Sequence, residues 1–133
     1  MIQALLLIVE LLLYNGGTYC SYVNEDANFQ LALMVQGECS ICPMDEQIAI
    51  AKVAKNRMVI WNKSMQEVLD PEQFQGLCNP IDDTNIPYHI ADSVLNHAIV
   101  DSSLFFYKKD MITSKWSKTL TVIKQYKFHS ICY

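Results

Sequence analysis

Apolar residues recur at helical spacing along most of this chain, and the pattern changes in its C-terminal third. Cap-type residues at 24–26 precede a run from Ala27 to Glu38 that predicts a helix of about three turns. After a break at Cys39–Pro43, Asp45 begins a second predicted helix. The apolar face of this second helix consists of Ile50, Val53, Ala54 and Met58.

Capping and periodicity predict two further helices. Ser64 and the glutamate three residues later have the spacing of a capping box, so a short helix begins there and Pro71 ends it. The polar segment Cys78–Ile86 is typical of a loop. Helical spacing resumes at Pro87 and continues to about Val100.

Two runs rich in aromatic and β-branched residues, Leu104–Tyr107 and Leu120–Tyr126, follow the last predicted helix. A polar connection separates them, as in a small antiparallel element. The chain has 133 residues, of which 51% are hydrophobic and 18% charged, and this is typical of one globular domain. We therefore predict a single α+β domain that is mainly helical, with a small antiparallel β element in the C-terminal third.

The N-terminal segment Ile2–Leu13 is apolar except for two polar residues, and Asn15–Gly17 terminates it. It is shorter than the ~20 residues of a membrane-spanning helix, and it lacks the basic residues that begin most export signals. Three interpretations stay open: a helix packed on the domain or on a partner, an export signal, or a membrane anchor. We divide the chain into this N-terminal segment, 1–23, and a domain at 24–133.

The charge of the chain argues against nucleic acid as a partner. Fourteen acidic and ten basic residues give a net charge of −4, so there is no general attraction to a phosphate backbone. Binding to any anionic polymer would need a local cluster of basic residues.

Cys39 and Cys42, two of the five cysteines, form a Cys-x-x-Cys pair. A redox pair of the thioredoxin type needs a βαβ setting, whereas helices are predicted on both sides of this pair. A structural zinc site of the usual kind needs a second ligand pair at similar spacing, and the sequence shows none. We therefore expect two small buried thiols, with no metal and no cofactor.

Several short motifs occur in a fixed order along residues 28–133. The first set consists of Gly37, Glu38, Pro43, Gln47, Asn56 and Arg57. The later ones are Pro71–Phe74, Leu104–Tyr107, Thr113–Trp116 and His129. In this order they resemble the motifs of the SleB-type cell-wall hydrolases, the spore-cortex-lytic enzymes. The chain departs from that pattern at Ser40, Ile41 and Cys42, which stand where the family has Arg-Gly-Glu.

The resemblance implies a lysozyme-like enzyme that cleaves the glycan strands of peptidoglycan, with Glu38 as the catalytic acid and base. Cleavage of a glycosidic bond requires a carboxylic acid that protonates the leaving oxygen, and the end of an apolar helix raises the pKa of such a group. The resemblance favours a lytic transglycosylase that acts on the MurNAc-GlcNAc bond, since this reaction needs only one carboxyl group. The alternatives are a hydrolytic muramidase, which needs a second acid, and a degenerate copy that binds glycan or serves as a structural virion protein.

A glycan groove needs flat apolar surfaces for sugar rings and hydrogen-bonding groups for their substituents. The expected substrate-binding residues are Gln73, Phe74, Phe106, Tyr107, Lys115, Trp116 and His129. The resemblance also implies action outside the cytoplasm on a cell wall, by a secreted, phage-lysis or virion-associated protein. Contact with a protein partner or a membrane is expected only through Ile2–Leu13.

Overall fold

A computed structural model describes residues 26–70, 72–79, 81–82, 84–111 and 117–133 of the chain. Within these residues the helices are α1 (Ala27–Cys39), α2 (Met44–Ile60), α3 (Met65–Val68) and α4 (Tyr88–His97). The strands are β1 (Phe105–Lys108), β2 (Val122–Gln125) and β3 (His129–Cys132). Short 3₁₀ turns lie at Gln75–Cys78, Lys109–Met111 and Ser117–Thr119.

Helix α1 is the centre of the fold. Every residue from Gln30 to Gln36 is buried, which is the burial expected of a helix that is mostly apolar on all sides. Asp26 caps its N-terminus by accepting a hydrogen bond from the Phe29 N–H at 2.8 Å. The buried amide of Gln36 is satisfied by the backbone of Asp82, at 2.8 and 3.2 Å. This pair attaches the loop before α4 to the central helix.

Helices α2 and α4 pack against α1 and against each other. The Lys55 ammonium donates to the Val94 carbonyl at 2.9 Å and to the Ala98 carbonyl at 2.8 Å. A cation beside the carbonyls at the C-terminal end of α4 also complements the dipole of that helix. The C-terminal half of α2 thus fixes the end of α4.

The three strands form one antiparallel sheet in the order β1-β3-β2. In β1 and β3, Phe106 is opposite Ile131 and Lys108 is opposite His129. The pairing of β2 with β3 is interrupted by a register shift between Val122 and Lys124. All four residues of the central strand β3 are buried, and Ile131 packs with α2 residues in a small second core.

The predicted fold class is confirmed, since the chain is mainly helical and ends in a small antiparallel sheet. The capping box at Ser64 is present, and the predicted helices agree with the observed ones to within a few residues. Strand β3 was not predicted, because His129–Cys132 is only four residues long and begins with two polar residues. The segment 1–23 lies outside the described residues. No helix among the described residues is both long and apolar enough to cross a lipid bilayer.

Candidate active site

Glu38 lies in the last turn of α1 and opens into a cavity of about 570 Å³. The opposite wall comes from the segment 72–76 and the floor from β1. The lining residues include Arg57, Glu72, Gln73, Phe106, Tyr107 and Lys108. A carboxyl group therefore stands in a concave site with polar and aromatic neighbours, which is a common setting for catalysis.

Two glycines bring the walls of this cavity together beside Glu38. A Cβ added at Gly37 would overlap the carbonyl of Gly76, so only glycine allows the two backbones to approach so closely. The Gly76 N–H then donates to Glu38 Oε1 at 2.8 Å. On the same edge, the Asn79 amide donates to the Gly37 carbonyl at 2.7 Å. The end of α1 is thereby attached to the 3₁₀ turn at 75–78.

The electrostatic setting of Glu38 combines opposing effects. Burial is the largest of them and raises the pKa of its carboxyl above the ordinary value. The hydrogen bond from Gly76 and the charges of His129 and Lys108 lower that pKa in part. The net direction is upward, so the carboxyl holds its proton to higher pH than an exposed glutamate does.

A second cleft of about 540 Å³ continues from the first. Both are lined by Gly37, Glu38, Lys108 and His129. The second cleft also contains Ile41, which is exposed, and the basic residues Lys109 and Lys127. Glu38 therefore stands where two clefts meet, and a linear polymer could pass it on both sides.

The floor of the first cavity consists of packed rings. Phe106 contacts Phe74, with ring centroids 6.0 Å apart, and meets the His129 ring edge-on at 5.6 Å. Phe74 and His129 are each only 1% exposed. Both also line the cavity, but so little of their surface is exposed that their main contact is with Phe106.

Arg57, at the end of α2, lies in an aromatic enclosure. Its guanidinium carbon is 4.9 Å from the centre of the Phe74 ring and 5.1 Å from that of Phe105. Its Nε donates to the Leu104 carbonyl at 2.7 Å. Burial lowers the pKa of Arg57 to about 10, so the group stays charged at neutral pH.

The structure brings together part of the predicted substrate-binding set. Gln73, Phe74, Phe106, Tyr107 and His129 line the cavity with Glu38, although Phe74 and His129 are each only 1% exposed. Lys115 and Trp116 lie outside the described residues. Asn56, a residue of the family motif, is buried and donates to the Ser103 carbonyl at 2.8 Å, away from the cavity.

Five residues that line the cavity were not singled out from the sequence: Glu72, Gln75, Gly76, Asn79 and Lys108. Glu72 stands next to Gln73 inside the motif Pro71–Phe74, so the sequence could have indicated it as a site residue. Asn79 and Lys108 carry no local pattern. Only the approach of the 3₁₀ turn and of β1 to α1 brings them to Glu38.

A group of metal-ligating side chains lies directly behind Glu38. It consists of Cys39, Cys42, Glu46 and His129, all buried, with their ligand atoms within 4.8 Å of one another. The Glu46 carboxylate is 2.7 Å from His129 Nδ1 and 3.2 Å from the Cys42 sulfur. Cys39 and Cys42 are in direct contact and are joined as a disulfide, with their Cα atoms 5.2 Å apart.

Two solved structures share this fold. The catalytic domain of the germination-specific lytic transglycosylase SleB from Bacillus anthracis matches with a TM-score of 0.66 and 23% identity, over 85% of this chain and 99% of that domain. The catalytic domain of the Bacillus cereus SleB protein matches with a TM-score of 0.61 and 24% identity, over 85% of this chain and 94% of that domain. No family model and no curated protein matches the chain. The SleB-like fold expected from the motifs is confirmed.

Proposed function

We propose that this protein is a peptidoglycan-degrading glycosidase, and specifically a lytic transglycosylase that cleaves the MurNAc-GlcNAc bond with Glu38 as its acid and base. The observation that carries the proposal is the position of Glu38, a partly buried carboxyl at the junction of two continuous clefts. A fold shared with the catalytic domain of a germination-specific lytic transglycosylase supports the same reaction class. Since peptidoglycan lies outside the cytoplasmic membrane, the protein would act there.

In the first step, the Glu38 carboxyl donates its proton to the glycosidic oxygen that links MurNAc to GlcNAc. The bond between C1 of MurNAc and this oxygen breaks, and positive charge develops on the sugar as an oxocarbenium-like centre. The departing GlcNAc end leaves as an alcohol. Glu38 is now a carboxylate, and its negative charge faces the positive sugar.

In the second step, Glu38 acts as a base. It removes the proton of the C6 hydroxyl of the same MurNAc, and the oxygen attacks C1 to close a 1,6-anhydro ring. The proton returns to Glu38, so no water and no second carboxyl is consumed. The Gly76 N–H, 2.8 Å from Oε1, holds the carboxyl in place through both steps.

The walls of the first cavity would bind the sugar rings. Phe106 and Tyr107 supply aromatic surface and Gln73 an amide that can hydrogen-bond an N-acetyl group. Lys115 and Trp116 would also bind substrate, and this part of the proposal rests only on the motif Thr113–Trp116. Phe74 and His129 act indirectly, because they position Phe106.

Glu72 favours a second candidate function, hydrolysis of the same bond by a muramidase. It lines the same cavity as Glu38 and is exposed, and a two-carboxylate glycosidase needs a second acid in the same site. In that reaction Glu72 would activate a water or stabilise the sugar cation. The product would then carry a free reducing end, one water heavier than the anhydro product.

The decisive experiment is mass spectrometry of muropeptides that the full chain releases from purified peptidoglycan. We expect anhydro-muramyl products from the wild type and a loss of rate of about a thousandfold in Glu38→Gln, since the amide cannot donate the proton. Glu72→Gln is the matched control, because it makes the same change in the same cavity. We expect this variant to retain most of the activity.

Other outcomes separate the alternatives. Reducing-end products that disappear in Glu72→Gln would establish the muramidase. Full activity of Glu38→Gln would refute the role of Glu38. Glycan binding without any product, from protein with a native circular dichroism spectrum, would establish a binding protein in place of an enzyme.

A further inference from the structure

Arg57 is a buried cation in the wall of the first cavity. It lies in the last turn of α2, and only 5% of its surface is exposed. Glu38 and Gln73 line the same cavity. A guanidinium stays charged at neutral pH, so a buried arginine normally has an anion or a full set of hydrogen-bond acceptors around it.

The acceptors around Arg57 are few. Its Nε donates to the Leu104 carbonyl at 2.7 Å, while Nη1 is buried and has no hydrogen-bond partner among the described residues. The ion pairs within the described part of the chain are those of Lys52 with Asp101 and of His129 with Glu46, so no carboxylate there pairs with Arg57. A buried donor without an acceptor is costly, and more so on a charged group.

Three aromatic rings hold the guanidinium in place without neutralising it. Its central carbon is 5.2 Å from the centre of the Trp61 ring, 4.9 Å from that of Phe74 and 5.1 Å from that of Phe105. Ring faces attract a cation, but they do not accept its N–H groups as an oxygen does. Burial lowers the pKa of Arg57 to about 10, as expected of a cation with no anion beside it.

The other charged residues of the cavity do not supply this anion. The carboxyl of Glu38 accepts the Gly76 N–H, and Glu72 is exposed to solvent. Lys108 adds a second positive charge to the lining. An anion that enters the cavity would therefore meet two cations, and one of them, Arg57, is already desolvated and held in a fixed orientation.

We propose that Arg57 binds a carboxylate carried by the muramic acid residue of the substrate. This inference rests on the proposed function, because peptidoglycan is what would bring such a group into the cavity. The planar guanidinium matches the two oxygens of a carboxylate, and arginine is the usual side chain where such a group is recognised. The carboxylate has two sources: the lactyl group of muramic acid itself, or the stem peptide attached to that group.

Such a contact would fix the register of the glycan strand at Glu38. GlcNAc and MurNAc alternate along the strand, so a shift by one sugar places the wrong bond at the catalytic carboxyl. Phe106 and Tyr107 offer similar apolar surface to both sugars and select neither. GlcNAc carries no carboxylate, and a buried cation that only one of the two sugars can pair therefore opposes the shift.

The test is the binding of a short glycan that the protein cannot cleave. The disaccharide GlcNAc-MurNAc contains no MurNAc-GlcNAc bond, so nuclear magnetic resonance titration of the full chain measures its affinity whether or not the protein is an enzyme. We expect the form with a free lactyl carboxylate to bind at least about tenfold more tightly than its methyl ester.

A third ligand identifies the source of the carboxylate. It is the same disaccharide with an L-Ala-D-Glu dipeptide on the lactyl group, which converts the lactyl carboxylate to an amide and places new carboxylates further out. Tighter binding than that of the free acid would assign the carboxylate to the stem peptide. Binding as weak as that of the ester would assign it to the lactyl group.

Variants test whether Arg57 is the partner. Arg57→Lys keeps the positive charge but loses the planar pair of donors, and we expect the preference for the acid over the ester to fall to about twofold or less. Lys108→Gln is the matched control, because it removes the other cation of the same cavity, and the preference should persist there. The acid and ester comparison in the wild type changes only the ligand, so it decides the matter even if Arg57→Lys does not fold.

Three results would overturn the proposal: no difference between acid and ester in the wild type, a preference unchanged in folded Arg57→Lys, or a preference lost in Lys108→Gln. Failure of the proposed function gives a different pattern. Wild-type protein that cleaves no peptidoglycan but still prefers the acid through Arg57 would have the binding site without the activity. Cleavage without any preference for the acid would leave the enzyme and remove the site.

Discussion

Among the described residues, a backbone N–H holds the carboxyl of Glu38 in place. The Gly76 N–H is the hydrogen-bond donor to Oε1, and the absence of a side chain at this position leaves room for the glutamate. The role of Gly76 cannot be seen in the sequence, because a lone glycine before a loop is common. The Gly-Glu motif at Gly37, by contrast, was predictable from the family resemblance, and the structure explains it by the close approach of two backbones.

A side chain at Gly76 should disturb Glu38. A Cβ there would lie 2.8 Å from Cγ of Glu38, so Gly76→Ala must displace the carboxyl or the 3₁₀ turn. We expect a loss of activity of at least about tenfold and a destabilisation of about 1–3 kcal/mol. Rate assays and urea unfolding measure the two effects, with Gln66→Ala as control, since Gln66 is exposed and does not line the cavity. Unchanged activity in Gly76→Ala would show that Glu38 does not need this contact.

At the scale of the elements, the sequence predicted the helices well because their signals are local. The cap at Asp26 and the capping box at Ser64 act within one turn, and apolar periodicity marks α1, α2 and α4. How the elements are joined was not predictable. The end of α2 is attached to the segment before β1 by a polar network in which the Asn56 amide donates to Asp101 at 2.8 Å.

Asp101 should make the stability of this junction depend on pH. Burial alone would raise its pKa, but hydrogen bonds from Lys52 and Ser103 outweigh burial and lower the pKa to about 2. A lowered pKa contributes stability that is fully present above the unfolded value of about 3.9 and is lost as pH falls toward 2.

We therefore expect Asp101→Asn to reduce the free energy of unfolding by about 1 kcal/mol at neutral pH, a modest effect because solvent screens the exposed pair. The difference from wild type should shrink as the pH approaches 2. Urea unfolding at several pH values measures it, with the exposed Asp92→Asn on α4 as control. A difference that is constant over this range would mean that ionisation of Asp101 contributes nothing.

At the scale of the whole molecule, overall charge and local charge differ in sign. The chain carries a net charge of −4, yet the second cleft is lined by three lysines, Lys108, Lys109 and Lys127, and two acids, Glu38 and Asp110. With this net charge, binding to an anionic polymer needs a local cluster of basic residues. The fold assembles such a cluster beside Glu38. The carboxylates of peptidoglycan stem peptides are suitable partners for it.

Removal of this charge should weaken substrate binding more than catalysis. We expect Lys109→Gln/Lys127→Gln to raise KM several-fold with little change in kcat, and to reduce the dependence of KM on salt. Kinetics on soluble glycan fragments at two ionic strengths measure this, and Lys118→Gln is the control, since it is exposed but does not line the cleft. An equal rise of KM in the control would indicate a general charge effect.

The sequence by itself determined what depends on neighbours within a few residues: the helices, the capping box, the aromatic strand β1 and the Gly-Glu pair that ends α1. Backbone hydrogen bonds and apolar periodicity act over that range, so short patterns report them. The tertiary structure alone decided the burial of Phe74 and His129, the entry of Glu72 into the cavity and the approach of His129 to Glu46. These contacts join residues up to 83 positions apart, and they follow from how the helices and the sheet pack, which no local spacing specifies.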